Sequence, residues 1–268
     1  MHLVLLDRSS HQSRFILWGG LLVLLGCTPQ KSPNPLTVFA ASSLQGPLEE
    51  IQKAWFQQSG LPVRVHYASS STLARQIELG AHTSLLLSAS QLWLESICKN
   101  NPRACSTPQA FAGNHLAVLG TTQTIKSPAQ TLRAVLLSES CFTVGDWEHV
   151  PVGIYVKEAL KSLRLWELVK PKLVPAKDAL SAFGMMLQEA CPFNLGYINL
   201  ASLSPNAQVI TKIPTTHHKP IEYWAIQIEN PKNNAAALFQ NFLMQPTSQA
   251  AFIKHGFTAA QHREYHSD

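Results

Sequence analysis

From Leu36 onward, short apolar runs are each followed by a small polar cluster and then by apolar residues at helical spacing. Leu36 to Ala40 is the first such run. Ser42 and Ser43 follow it, and Leu44, Leu48, Ile51 and Trp55 then recur every three or four residues. Pro47 sits near the first turn of that helix, where its missing N–H costs little. Val63 to Tyr67 alternates as a strand, and Ser69-Ser70-Ser71-Thr72 leads into a helix with Leu73 and Ile77 on one face. Gly80 stands where a left-handed residue closes that helix. Leu85 to Leu87 and Ser88-Ala89-Ser90 precede a third helix carrying Leu92, Leu94 and Ile97. Phe142 to Val144 leads through Gly145-Asp146 and Pro151-Val152-Gly153 to a helix through Tyr155, Ala159, Leu160 and Leu163.

Strands alternating with helices predict an α/β fold with crossover connections, and such sheets hold ligands beyond the carboxyl ends of their strands. A new apolar run, Leu116 to Leu119, begins just after Ala112 to His115, which points to a change of lobe there. A return crossing is expected between Pro214 and Trp224, before a strand-like run from Tyr223 to Ile228. The helix-rich end, Ala235 to Phe257, then packs back on the first lobe. The expected organisation is therefore one lobe of residues 36–112 with 222–268, and a second of residues 113–221. A length of 268 residues, above the usual ~100–200 of one domain, fits two lobes.

Ahead of Leu36 the pattern changes. Arg8 and Arg14 precede an uncharged apolar run from Phe15 to Gly26, too short for a spanning helix of ~20 residues but suited to an export signal. Its end, Leu24-Leu25-Gly26-Cys27, resembles the lipobox of bacterial lipoproteins, in which the cysteine is lipidated and becomes the mature N-terminus; the alternative is an ordinary signal peptide cut nearby. Residues 1–27 are thus expected to be a signal, and the polar, proline-bearing stretch 28–35 a tether.

Composition narrows the function classes. With 46% hydrophobic and 14% charged residues, the chain has the apolar surface for a globular core. The net charge of +5 falls to +4 once Asp7, Arg8 and Arg14 leave with the signal, too small and scattered for a nucleic-acid binder. Export favours disulfides, and four cysteines follow Cys27. Three pairings are formally open. Proximity favours Cys98 with Cys105, and placement before strands favours Cys141 with Cys191; free buried thiols are the alternative.

The hydroxyl clusters at 42–43, 69–72 and 88–90 fall between strands and helices. A helix start offers up to four unpaired N–H donors and the positive end of the peptide dipole, so it holds an anion without a cation. Ordinary capping explains any one cluster, and Ser42 with Gln45 fits a capping box. Clusters at successive helix starts point instead to convergence on one ligand. Two rival readings are weaker. An exported serine hydrolase lacks its G-x-S-x-G signature. A metal site would rest on His217-His218, or on His262 with His266, without H-E-x-x-H. Trp55, Trp93, Trp166 and Trp224 are expected in packing, and Trp147, in the loop before Val152, either packs or shields the cleft.

From about Leu36 to Thr258 the chain resembles the periplasmic molybdate-binding proteins of ABC-type importers, a two-lobed oxyanion-binding family. The likeness is carried by Thr37-Val38-Phe39-Ala40-Ala41-Ser42-Ser43-Leu44, by Tyr67 to Glu78, by Val144-Gly145-Asp146 with Glu148 to Pro151, and by Gly153-Ile154-Tyr155. Lys157 to Leu160, Pro175-Ala176 with Asp178, Lys254 and Gly256-Phe257-Thr258 also match. The resemblance implies a type II periplasmic-binding-protein fold, each lobe a mixed sheet flanked by helices, joined by two hinge crossings. It implies a monomeric solute-binding protein, not an enzyme, that captures molybdate or tungstate and delivers it to an ABC permease; sulfate is the alternative oxyanion. No cofactor is implied, and molybdenum enters only as molybdate. Membrane contact is expected only through a lipid on Cys27, in the periplasm or at the membrane surface.

The family's ligands fall here on Ser43 and Ser70, each through hydroxyl and amide, and on the amides of Val152 and Ala179. Its tyrosine ligand matches Asn199 in Gly196-Tyr197-Ile198-Asn199; Tyr197, two residues away on the same face of a strand, is the other candidate. The family's Asp before the third strand is Ser84 here, and its Pro after Gly-Asp is Trp147.

Overall fold

A computed structural model describes residues 34–100, 105–123, 131–228 and 234–260. The export signal, Cys27, nearly all of the tether, and the His262/His266 pair lie outside the described residues.

The first half-sheet is laid down as β1 (Leu36–Ala41), α1 (Gln45–Ser59), β2 (Val63–Ala68), α2 (Ser70–Glu78), β3 (Leu85–Ser88), α3 (Gln91–Asn100) and β4 (Gln109–Asn114). His115 then carries the chain into β5 (Leu116–Thr121), α4 (Leu132–Leu137), β6 (Phe142–Gly145), α5 (Pro151–Ser162), α6 (Trp166–Val169), β7 (Leu173–Ala176), α7 (Ala179–Leu187), β8 (Phe193–Tyr197) and β9 (Ala207–Lys212). Residues 213–220 lead back to β10 (Ile221–Gln227), α8 (Asn234–Leu243) and α9 (Pro246–Lys254).

Two five-stranded mixed sheets result, ordered β2-β1-β3-β10-β4 and β7-β6-β8-β5-β9. In each, three strands run parallel: β1 pairs with β2 and β3, and β6 with β7 and β8. The remaining strands, β10 and β4 in one sheet and β5 and β9 in the other, are joined by antiparallel ladders. The sheets therefore share one plan, with β1 in one and β6 in the other each flanked by two parallel neighbours.

Strand alternation divides the core of the first lobe. Val38 and Ala40 face Leu44, Leu48, Ile51 and Trp55 of the segment entering and forming α1, with Phe239 and Phe242 of α8 behind them. Trp55 meets both phenylalanine rings at 5.3 Å between centroids. Phe39 points the other way, to Leu86, Leu73, Leu94, Ile97 and Trp224. Leu94 and Ile97 of α3 are buried as their spacing predicts, while Leu92, expected beside them, is exposed on the solvent side of the same helix. Trp147 packs edge-on against the buried Trp166 at 5.9 Å, which accounts for it as a packing residue of the second lobe.

Two cysteine pairs are bonded in the structure, Cys98 with Cys105 and Cys141 with Cys191, at Cα separations of 5.8 and 5.3 Å. The first ties α3 to the segment that bridges Ile228 just past β10. The second joins the approaches to the neighbouring strands β6 and β8. Gly80 has φ +92°, the left-handed turn after α2 that only glycine adopts without strain. No described helix is long and apolar enough to cross a membrane.

Candidate functional site

The carboxyl ends of the six parallel strands meet at one small cavity of about 10 Å³. From the first sheet, Ala41 ends β1 and Ser42 and Ser43 follow it, Ser69 and Ser70 follow β2, and Ala89 follows β3. From the second, Val150 to Val152 follow β6, Ala179 follows β7, and Tyr197 ends β8. Five of the six residues expected as ligands, Ser43, Ser70, Val152, Ala179 and Tyr197, therefore line a single cavity, and no charged side chain is among its lining residues.

Local chemistry sets each donor. Ser69, the residue before α2, performs the capping: its Oγ accepts from the Thr72 amide at 3.2 Å. Ser70 is thereby spared. Its Oγ accepts instead from the Ala89 amide at 3.0 Å, so its own hydrogen remains to donate. The capping box read from Ser42 and Gln45 does not form. Gln45 reaches Glu49 at 3.0 Å, and α1 has no side-chain cap, because a 3₁₀ turn over Ser42–Leu44 precedes the helix. Ser42 instead crosses the cleft, its Oγ accepting from the Leu180 amide at 3.4 Å.

In the second lobe, α5 begins with Val150 as N-cap and Pro151 as its first residue, and no side chain caps it. The Val152 amide, in the first turn, has no partner within its own helix. At α7, Asp178 caps through Ser181, accepting from its amide at 2.8 Å and its hydroxyl at 3.0 Å. The Ala179 amide ahead of it is left for the cavity.

Tyr197 and Asn199 part company. β8 stops at Tyr197, and a 3₁₀ turn over Ile198–Leu203 takes the chain away, so the two side chains do not share a strand face as expected. Asn199 is buried away from the cavity with both ends of its amide engaged: Nδ2 donates to the Ser43 carbonyl at 3.0 Å, and Oδ1 accepts from Asn114 Nδ2 at 2.9 Å. Tyr197 is buried with a hydroxyl that has no hydrogen-bond partner among the described residues. Burial, and to a lesser extent the Tyr223 and Tyr155 hydroxyls, raise its ionisation well above the ordinary tyrosine value, so it stays a donor at neutral pH.

A larger cavity of about 310 Å³ lies on the hinge, where His115, His218 and Glu222 meet Thr258. Of the expected ligands, none lines it. His218 donates through Nδ1 to the Lys219 carbonyl at 2.7 Å, and His217 meets the Ser162 hydroxyl at 2.9 Å. Among the described residues, no group of three His, Cys, Asp or Glu side chains is arranged to hold a metal ion.

Residues 36–258 match the family model of the bacterial extracellular solute-binding proteins. The chain belongs to that family. It is 35% identical over 227 residues to the molybdate-binding protein of Escherichia coli (strain K12), which covers 83% of this chain and 88% of that one. The periplasmic molybdate-binding protein of Azotobacter vinelandii superposes with a TM-score of 0.74 at 20% identity, covering 84% of this chain and all of the other. The sulfate-binding protein of Mycobacterium tuberculosis superposes at 0.68 with 14% identity, over 85% of this chain and 88% of that one. A solute-binding protein binds and releases its ligand without breaking bonds.

The sequence reading missed three members of the arrangement. Ser42 fits both a capping box and the ligand cluster but crosses to the Leu180 amide, and Asn114 and Tyr223 carry no local signal, since their partners lie 85 to 180 residues away.

Proposed function

We propose that this chain is the extracytoplasmic molybdate-binding component of an ABC-type importer, with Ser43, Ser70, Val152, Ala179 and Tyr197 as the ligands of molybdate or tungstate. The observation that carries this reading is the convergence of three strand ends from each sheet on one small cavity furnished with amides and hydroxyls and lined by no charged side chain. The likeness to a molybdate-binding relative along most of the chain supports the choice of oxyanion. Tyr197 takes the tyrosine's role and Asn199 does not, because the Asn199 amide is already committed at both ends while the Tyr197 hydroxyl has no other partner among the described residues.

The physical case is one of donors against charge. Each hydrogen bond to a dianion is worth roughly 1.5–3 kcal/mol. About seven of them exceed the ~8 kcal/mol of a micromolar complex, which leaves room for the costs of desolvation and lobe closure. A fully deprotonated tetrahedral anion accepts from every side. A protonated one, such as phosphate at neutral pH, brings an O–H that meets no carboxylate in the cavity and must use a hydroxyl oxygen, the weaker acceptor. Sulfate has the charge and the shape, so size alone separates it. Because both lobes supply donors, the ligand favours the closed form, by movement about the two crossings, and a permease reads that form. Lipidation of Cys27 would tether the protein, as a monomer, to the membrane surface.

The test is titration calorimetry of the mature protein with molybdate, tungstate, sulfate and phosphate. Saturable heat is expected with molybdate and tungstate, and none with phosphate. Heat with sulfate and none with molybdate would overturn the assignment.

A further inference from the structure

Behind the cavity, four side chains form a hydrogen-bonded chain whose direction can be worked out. It starts at the Ser43 carbonyl, which only accepts. The Asn199 atom 3.0 Å from it is therefore the NH₂ group, and the Asn199 oxygen faces Asn114. The Asn114 atom 2.9 Å from that oxygen must then be its own NH₂ group. The other end agrees: the His115 amide, which only donates, lies 2.9 Å from Asn114 Oδ1. With Asn114 so oriented, its NH₂ group also donates to the Tyr223 hydroxyl at 3.3 Å.

Tyr223 is fully buried, and a buried hydroxyl hydrogen without an acceptor is costly. Asn114 Nδ2 offers no acceptor, so the hydrogen of Tyr223 goes to Ser43 Oγ at 2.8 Å. Ser43 is then an acceptor toward Tyr223, and its own hydrogen is turned outward. The members come from distant parts of the chain: Asn114 ends β4 at the first crossing, Tyr223 lies in β10 just after the second, and Asn199 belongs to the second lobe. Neither Tyr223 nor Asn114 lines the cavity.

Building on the oxyanion site proposed above, we infer that Tyr223 and Asn114 are positioning residues that fix the Ser43 hydroxyl as an obligate donor to the ligand, and that Asn199 ties this orientation to the hinge. Asn199 stands where the resemblance to the molybdate-binding family puts a ligand tyrosine. In this chain it has become the link between the second lobe and the Ser43 backbone, while Tyr197 provides the hydroxyl.

A double-mutant cycle read by calorimetry with molybdate tests the inference. Tyr223→Phe keeps the ring and removes the hydroxyl. It should weaken binding about tenfold in the parent protein and less than twofold in a Ser43→Ala background, where no hydroxyl remains to be oriented. An equal loss in both backgrounds, or no loss in the parent, would overturn the relay. If Ser43→Ala itself leaves molybdate affinity unchanged, the oxyanion site fails and the relay with it. A weakened Ser43→Ala protein with a background-independent Tyr223 effect removes the relay alone. Should Tyr223→Phe melt below the assay temperature, the same cycle is run in the cold, at a temperature where all four proteins give folded circular-dichroism spectra, with the same expected result.

Discussion

Ser69 and Ser70 are adjacent, both buried and chemically identical, yet their hydroxyls are engaged differently. Ser69 spends its oxygen on the Thr72 amide and also lies 2.9 Å from Ser71 and 2.8 Å from Thr72 hydroxyls, whereas Ser70 takes the Ala89 amide and keeps its hydrogen. What distinguishes them is one residue of helical phase. The same accounting separates Tyr197 from Asn199. Tyr197→Phe removes a hydroxyl without a protein partner among the described residues, so thermal stability should hold or rise slightly while molybdate affinity falls tenfold or more. Asn199→Ala should instead lower stability by about 1–3 kcal/mol, because it strands the Ser43 carbonyl and the Asn114 amide. Melting curves and calorimetry on the two variants check both halves. A stability loss for Tyr197→Phe without an affinity loss would remove Tyr197 from the ligand set.

At the scale of elements, the second lobe delivers its amides by pressing helix starts against strand ends. Gly153, in the first turn of α5, lies so close to β6 that a Cβ there would fall on the Gly145 carbonyl oxygen and within 2.6 Å of that of Asp146. Gly145 has the matching constraint, with Val150 and Val152 methyls 2.7 Å from where its Cβ would stand. Glycine at both positions lets the Val152 amide approach the sheet axis. Gly153→Ala should therefore push α5 away from β6, cost roughly 1–3 kcal/mol, and weaken binding together with stability. Gly184, inside α7, has open space around its Cβ position. Gly184→Ala should be neutral or stabilising by up to about 1 kcal/mol. Urea unfolding of the two alanine variants makes the comparison, and equal effects would refute the close-packing account.

At the scale of the whole molecule, the two crossings also bring titratable side chains together at the hinge cavity. His115 forms the first crossing and lines the hinge cavity with His218. Burial, reinforced by the nearby Lys212 and His218, holds its imidazole below the ordinary histidine value, so the folded hinge resists the proton. As pH falls through the ordinary histidine range near ~6.5, the unfolded chain takes up that proton first and stability declines; the decline from this group ends once the folded ring is protonated too. The drop in urea midpoint between about pH 7.5 and pH 5 should be smaller in His115→Gln than in the parent, and an unchanged drop would exclude His115 as its source. The repeat of strand, hydroxyl turn and helix, and with it the α/β class and the residues near the strand ends, was determined by the sequence itself, because periodicity and capping act over a few neighbours. Asn199 and Tyr197 stand two residues apart in one local motif, and Ser42 fits a capping box as well as a ligand cluster, so neighbouring residues alone leave both alternatives open. Only the tertiary structure shows the Asn199 amide engaged at both ends and the Ser42 hydroxyl turned to the Leu180 amide. A hydrogen bond's direction depends on which partner faces it, and here the partners of Ser43 stand 156 and 180 residues further along the chain, where no local pattern reaches.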